Sequence, residues 1–289
     1  IGALKNRCCH RGMKLSHGWV ENEEIVCPYH AWRYAPSGKG ISPSTPRLDL
    51  CVPSFTVIER YGVIWIRAAD SSASFPDFKL QDHLFAGAVI QEIQAPLEVV
   101  VDNFSDIEHN PTTHTYFGYS DENIANLESR IKTTDNSVSV VNRGAQQALP
   151  WIVEKIFFNV RSGDGFSNDW TTFFSPVYSI FDQCWIDSAT DQKRRIQVKL
   201  VVFYVPIDND RTRLMIFVFA KSIINQLIFR LFVGPVVKFF VDYELQKDKA
   251  ILENLADKQM PLSEMQLGRY DRILGENRKR IDRCYRGHL

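Results

Sequence analysis

Several things are scarce in this 289-residue chain, and each scarcity removes a class of function. Neither sign of charge is in excess, with Lys+Arg and Asp+Glu at 34 each. No basic face for a phosphate backbone is implied, and nucleic acid is not expected as a partner. Six cysteines in a chain of this length do not make a disulfide framework. There are no internal repeats or low-complexity segments, which excludes a solenoid or a disordered array. No signal peptide is visible, and free thiols fit a reducing cytoplasm. One long apolar run exists, residues 223–241, but it carries Asn225, Gln226, Arg230 and Lys238 and is interrupted at Gly234-Pro235. That is a poor spanning helix. A buried helix pair is expected there, and membrane association is not. The remaining composition, 45% hydrophobic and 24% charged, is that of one large globular domain or two ordinary ones.

What is present starts close to residue 1. Cys8 and His10 form a Cys-x-His half-motif, and after sixteen residues Cys27 and His30 form Cys-x-x-His. Two thiolates and two imidazoles make a four-ligand metal site. A zinc finger of the Cys₂His₂ kind keeps like ligands together. Here each half-motif carries one of each. That order suits a two-iron cluster with both sulfurs on one iron and both imidazoles on the other, the Rieske arrangement. A structural zinc site is the alternative. Cys9, Cys51, Cys184 and Cys284 are read as free thiols.

The segments Cys8-Cys9-His10-Arg11-Gly12 and Cys27-Pro28-Tyr29-His30-Ala31-Trp32 resemble the cluster loops of Rieske non-heme iron oxygenases. The family pattern has Pro where Cys9 stands and Gly where Ala31 stands; all four ligands are retained. The resemblance continues at Asn103-Phe104-Ser105-Asp106-Ile107-Glu108-His109-Asn110-Pro111-Thr112-Thr113-His114, which follows the family's Asn-x-x-Asp-x-x-His-x₄-His without a gap. Physically, His109 and His114 would lie about 140° apart on an ideal helix. They can share a metal only if the backbone leaves the α-helix between them, and Pro111 favours that. Two His and one carboxylate are the usual set for an oxygen-activating iron. The resemblance puts the carboxylate at Asp248, within Gln246-Lys247-Asp248-Lys249-Ala250-Ile251-Leu252-Glu253, with Asp242, Glu244 and Glu253 as competitors. Asp106, three residues before His109, shares its face on a helical turn and can accept an imidazole proton.

The resemblance implies an α+β chain: an all-β Rieske [2Fe-2S] domain over residues 1–80, its first strands absent from this sequence, then a helix-grip (START-like) catalytic domain with an antiparallel sheet over 81–289. It implies a terminal oxygenase of the monooxygenase and demethylase branch. The cofactors would be a [2Fe-2S] cluster and one Fe(II), with O2 as co-substrate and electrons from NAD(P)H through a ferredoxin or a ferredoxin reductase. The substrate would be a small organic molecule, aromatic or alicyclic. The assembly would be a head-to-tail homotrimer in which Asp106 bridges to a cluster histidine of the next subunit. Two rivals remain: a Rieske-type electron carrier without oxygenase activity, and a zinc-containing ligand-binding module.

Residues 55–60 and 63–66 are β-rich and separated by Tyr61-Gly62, which predicts a hairpin. A polar stretch at 70–74 before Pro76 marks the expected domain boundary. Thr171–Phe181, Ile196–Val205 and Arg213–Phe219 are strand-like, the last two forming an antiparallel pair around 207–210. Residues 242–257 read as a helix with Leu245, Ala250, Ile251, Leu252 and Leu255 inward, and 264–286 as a charged, solvated helix. Trp151, Phe157, Phe158, Trp170, Phe173 and Phe174 are candidates for pocket or core.

Overall fold

A computed structural model describes residues 1–72, 74–80, 82–116, 118–151, 154, 160–161, 163–222 and 225–288. It contains two compact units, Ile1–Asp77 and Phe78–Leu289. Phe157 and Phe158 lie outside the described residues.

The first unit is all-β. Strands β2 (Trp19–Glu21), β3 (Glu24–Val26), β4 (Arg33–Tyr34) and β5 (Gly40–Ile41) form one antiparallel sheet. β1 (Ala3–Leu4), β6 (Ser54–Arg60) and β7 (Val63–Ala68) form another. The β6–β7 turn has positive φ at both Tyr61 (60°) and Gly62 (72°), the primed geometry that matches strand twist.

The second unit is a seven-stranded antiparallel sheet in the order β8-β14-β13-β12-β11-β10-β9. Its strands are β8 (His83–Ile93), β9 (Glu128–Thr133), β10 (Ser137–Ala145), β11 (Gly165–Phe174), β12 (Val177–Ile186), β13 (Lys193–Pro206) and β14 (Thr212–Lys221). The aromatic run 171–181 is not one strand: Ser175-Pro176 turns the chain and joins β11 to β12. Helices α1 (Leu97–Phe104), α2 (Asn110–Thr113), α3 (Gln226–Ile228), α4 (Gly234–Glu253) and α5 (Arg272–Arg280) complete it. α4 packs on β8 and β14, α1 on β13, and α5 on β10. The core between helices and sheet holds Trp185, Phe166, Phe174, Ile93, Leu214 and Leu252.

Three helix expectations need correction. Residues 226–253 do not break at Gly234-Pro235 but run on through a π turn at Phe229–Val233 into α4. Pro235 sits in the first turn of α4, where its missing N–H is tolerated. Gly234 lies so close to β8 that a Cβ there would fall 2.8 Å from the Ala86 carbonyl oxygen. Nor is this stretch buried as a pair: Leu227, Ile228, Leu231, Phe232 and Phe239 are exposed, and Phe229, Phe240 and Val241 are the large apolar residues that go inside. Further along α4 the inward face is Val241, Glu244, Leu245, Asp248 and Leu252, while Ile251 and Leu255 are each 40% exposed. The C-terminal helix is not solvated all round either. Ile273, Leu274, Asn277, Arg280 and Ile281 are buried, and Arg278 grips Asp102 of α1 through two hydrogen bonds of 2.6 and 2.9 Å. No helix among the described residues is long and apolar enough to cross a membrane.

Candidate metal centres

In the first unit the two half-motifs form loops of the same shape. The Cys8 N–H donates to the Met13 carbonyl (2.8 Å) and the Gly12 N–H to the Cys8 carbonyl (3.0 Å). The Cys27 N–H donates to the Trp32 carbonyl (2.8 Å) and the Ala31 N–H to the Cys27 carbonyl (3.0 Å). Each loop turns through a left-handed residue, Gly12 at φ 78° and Ala31 at φ 56°. Alanine there carries a steric cost of about 1 kcal/mol that glycine avoids, which is why the Gly-to-Ala departure at this position is notable.

The loops bring like ligands together. Cys8 and Cys27 are both buried and lie near enough to raise the Cys27 thiol, after burial itself, above its ordinary pKa. The His10 and His30 rings meet edge to face at 4.6 Å, and Trp32 stacks on His10 at 4.3 Å. The Tyr34 hydroxyl lies 3.0 Å from Cys8 Sγ. Two sulfurs side by side and two imidazoles side by side fit a two-iron cluster. A single zinc ion would require all four donors around one point. Among the described residues, the group whose donor atoms all lie within 4.8 Å of one another is a different one, His109, His114 and Asp248. None of the six cysteines is disulfide-bonded. Cys9 is exposed, with its sulfur 3.4 Å from the Tyr34 hydroxyl.

In the second unit, His109 and His114 flank the short helix α2, with Pro111 in its first turn. His109 is helical (φ −75°, ψ −16°) and His114 extended (φ −91°, ψ 146°). This change of backbone turns both Nε2 atoms to one point, 3.1 Å apart. Asp248 Oδ1 from α4 lies 3.4 Å from His109 Nε2 and 3.5 Å from His114 Nε2. Metal–ligand bonds of ~2.1 Å set neighbouring donors ~3.0 Å apart at right angles and ~3.4 Å apart at tetrahedral angles, so one divalent cation could reach all three atoms of this triangle. Asn103 Nδ2 donates to Asp248 Oδ1 (3.1 Å) and fixes that carboxylate. The competing acids are engaged elsewhere: Asp242 with Gln91, and Glu253 with the Gln94 N–H.

Each imidazole is aimed from behind by a carboxylate. Asp106 Oδ2 accepts from His109 Nδ1 at 3.0 Å, and Asp106 Oδ1 accepts from the Glu108 N–H at 2.7 Å. Burial would lower the His109 pKa, but Asp106 and Asp248 outweigh it and push it up to about 9. Glu244, one helical turn before Asp248, is the equivalent for His114. Its Oε2 accepts from His114 Nδ1 (3.1 Å), and its Oε1 accepts from the N–H groups of Thr115 (2.9 Å) and Tyr116 (2.7 Å). The sequence offered Glu244 only as a rival ligand. Its i,i+4 spacing to Asp248 was legible, but its contact with His114 depends on how α4 lies beside α2. Orienting carboxylates of this kind typically carry 10–100-fold in metal affinity. Glu244→Gln, which keeps size but adds a donor facing His114 or a backbone N–H, is expected to weaken Fe(II) binding by at least about tenfold. Anaerobic titration with a competing chelator measures this, and unchanged affinity would reduce Glu244 to a helix-packing residue.

A cavity of about 100 Å³ adjoins the triangle and is lined by Phe166, Trp170, Phe181, Leu200, Ile216 and Leu245 as well as by the three donors. Of the aromatic candidates, Trp170 faces this cavity, Phe174 belongs to the core, and Trp151 is 66% exposed.

Both parts of the chain match known families. Residues 1–56 match the Rieske [2Fe-2S] domain family, and residues 93–285 match the vanillate O-demethylase oxygenase C-terminal domain family. The methylxanthine N1-demethylase NdmA of Pseudomonas putida is 37% identical over 123 residues, covering 39% of this chain and 35% of that protein. Chloroplastic chlorophyllide a oxygenase of Arabidopsis thaliana is 31% identical over 118 residues, covering 39% of this chain and 22% of that protein. These matches thus span well under half of the curated relatives. Among solved structures, dicamba monooxygenase bound to 3,6-dichlorosalicylic acid superposes with a TM-score of 0.74 at 17% identity, covering 98% of this chain and 86% of that one. NdmA with caffeine superposes at 0.68 and 22% identity, covering 99% and 80%. With its C-terminal family matched over most of the chain and a Rieske domain ahead of it, the chain belongs to the Rieske non-heme iron oxygenases, in the branch typified by the vanillate O-demethylase oxygenase C-terminal domain.

Proposed function

We propose that this protein is a terminal oxygenase acting on a small organic substrate, by hydroxylation or oxidative dealkylation. The observation that carries the reading is the His109–His114–Asp248 triangle beside a mostly apolar cavity. An electron carrier has no use for that triangle. Cys8, His10, Cys27 and His30 would hold the [2Fe-2S] cluster, and His109, His114 and Asp248 one Fe(II). When bound, the cluster supplies electrons singly and the ferrous ion supplies the site where O2 is activated. The protein's own residues do the rest. Asn103, Asp106 and Glu244 hold the three donors in place. Phe166, Trp170 and Phe181 keep water from the cavity and give a ring substrate an apolar bed.

Electrons would come from NAD(P)H through a ferredoxin or ferredoxin reductase, and the compartment would be the cytoplasm. The assembly we propose is a homotrimer in which Asp106 serves two subunits. One of its faces holds the His109 proton. Its side chain stays 28% exposed, which leaves room to accept a hydrogen bond from a cluster imidazole of a neighbour. The test is single turnover. Pre-reduced protein is mixed with O2 and a panel of aromatic and alicyclic substrates, and cluster reoxidation is followed together with product mass. Wild type should couple the two. Asp106→Asn keeps the size but replaces one acceptor by a donor. With Fe(II) in excess it should load both metals, yet reoxidise at least about tenfold more slowly, the lower end of the effect of losing such an orienting carboxylate. Reoxidation at the wild-type rate would make Asp106 a structural charge. Reduced wild type that forms no product from any substrate would contradict the oxygenase reading.

A further inference from the structure

The cavity wall carries one feature that metal binding does not use. On the inner face of the β11–β12 ladder, residues pair in the order Phe166 with Trp185, Asn168 with Gln183, and Trp170 with Phe181. An amide rung is therefore set between two aromatic rungs. Both amides line the cavity, and both residues are only 8% exposed. Gln183 Nε2 donates to Asn168 Oδ1 at 3.2 Å. That bond leaves Asn168 Nδ2 and Gln183 Oε1 without a hydrogen-bond partner among the described residues, one donor beside one acceptor. Flipping both amides exchanges which residue offers which, but the pair still presents one of each. These two polar groups belong to residues that line the cavity, where a ligand could satisfy both, and a ligand that shuts them off from water without pairing them would bind at a cost.

The charge around the cavity narrows the ligand further. No Lys or Arg is among its described lining residues, whereas Asp106, Glu244 and Asp248 are. Lys247 reaches Glu244 at 3.2 Å from outside that lining. Asp106, Glu244 and Asp248 bring three negative charges against the two positive charges of Fe(II), so a carboxylate or sulfonate entering here would meet no surplus positive charge in the lining, and an unpaired charge in such a site is strongly disfavoured.

We propose that Asn168 and Gln183 form a polar rung that selects an uncharged ring substrate presenting a donor beside an acceptor, such as a lactam edge, and that the cavity rejects carboxylates and sulfonates. This rests on the oxygenase reading for its cavity. It goes further in naming the substrate class and the two specificity-determining residues.

The test is calorimetric binding to the iron-loaded protein, reduced and without O2, of three probes of similar shape: isoindolin-1-one, indane and indane-2-carboxylate. The lactam should bind at least about tenfold more tightly than the carboxylate, since a site built to hydrogen-bond a ligand discriminates strongly by those bonds. It should also bind more tightly than indane. Gln183→Met and Asn168→Leu should each erase the advantage over indane while indane itself binds as before. Equal or tighter binding of the carboxylate overturns the proposal. So do variants that keep the lactam preference, and so does failure of all three probes to bind. The wild-type comparison stands even if a variant fails to fold. Iron and cluster content are measured on the same sample. Full metal with a preference for the carboxylate removes this inference alone, whereas missing mononuclear iron removes the oxygenase reading, and the amide rung can still be tested on that protein.

Discussion

Asp248→Ala is expected to strip iron from the second unit and lower turnover by more than about a hundredfold, while the cluster keeps its visible absorption and its Rieske-type EPR signal. A ligand should cost more than the 10–100-fold typical of the groups that merely orient ligands. The removed oxygen stands 3.4 and 3.5 Å from the two imidazole nitrogens and closes the triangle. Nearby acids have no path to replace it. Glu244 is committed to His114 Nδ1 and two backbone N–H groups, and Glu253 to the Gln94 N–H. His109→Ala and His114→Ala should behave alike. Glu253→Ala and Asp242→Ala should retain iron. The readout is iron per chain and turnover on the purified variants. If Asp248→Ala keeps full iron and activity while Glu253→Ala loses both, the carboxylate has been misplaced.

The second large effect is the mirror image. Cys27→Ala should abolish the cluster, and with it all reductase-dependent turnover, yet leave the second unit folded and able to bind one Fe(II). Cys8→Ala, His10→Ala and His30→Ala should do the same. The reason is that the two ligand sets lie in separate compact units, Ile1–Asp77 and Phe78–Leu289. Cys9 is not expected to supply the missing terminal thiolate, since it is exposed whereas Cys8 and Cys27 are buried. Visible and EPR spectra of each variant, with Fe(II) titration, separate the two sites. A normal Rieske signal in any one of the four would remove that residue from the ligand set.

Much of this is legible in the sequence, because the cluster loops are local. Four candidate ligands, two left-handed turns and the strands around them are contained within residues 8–34, and the chemistry proposed for them can be read from spacing. In the seven-stranded sheet β13 and β14 are legible from apolar and β-branched runs, 171–181 is legible only without the turn that divides it, and β8, β9 and β10 go unread; the order and register depend on pairings distant in sequence. That is why the Asn168–Gln183 rung was invisible: each residue is an ordinary polar position, and only the register places them together. Glu244 was hidden for a related reason, since its partner lies 130 residues away. The C-terminal helix is a different kind of miss. Ile273, Leu274, Asn277 and Ile281 recur at helical spacing, and the charge between them masked an amphipathic face. The exposed residues of 226–239 show the opposite limit: hydropathy alone does not say which way an apolar side chain faces.

The central claim is that one chain carries both an electron-storing cluster and a separate oxygen-activating iron. Iron and acid-labile sulfide, determined on protein purified without O2, test it most directly. The account predicts two sulfides with the two irons of a Rieske [2Fe-2S] domain, and one further iron that is lost in Asp248→Ala. Two irons and two sulfides, unchanged by Asp248→Ala, would describe an electron carrier, and zinc without sulfide would describe a binding module; either would contradict the account.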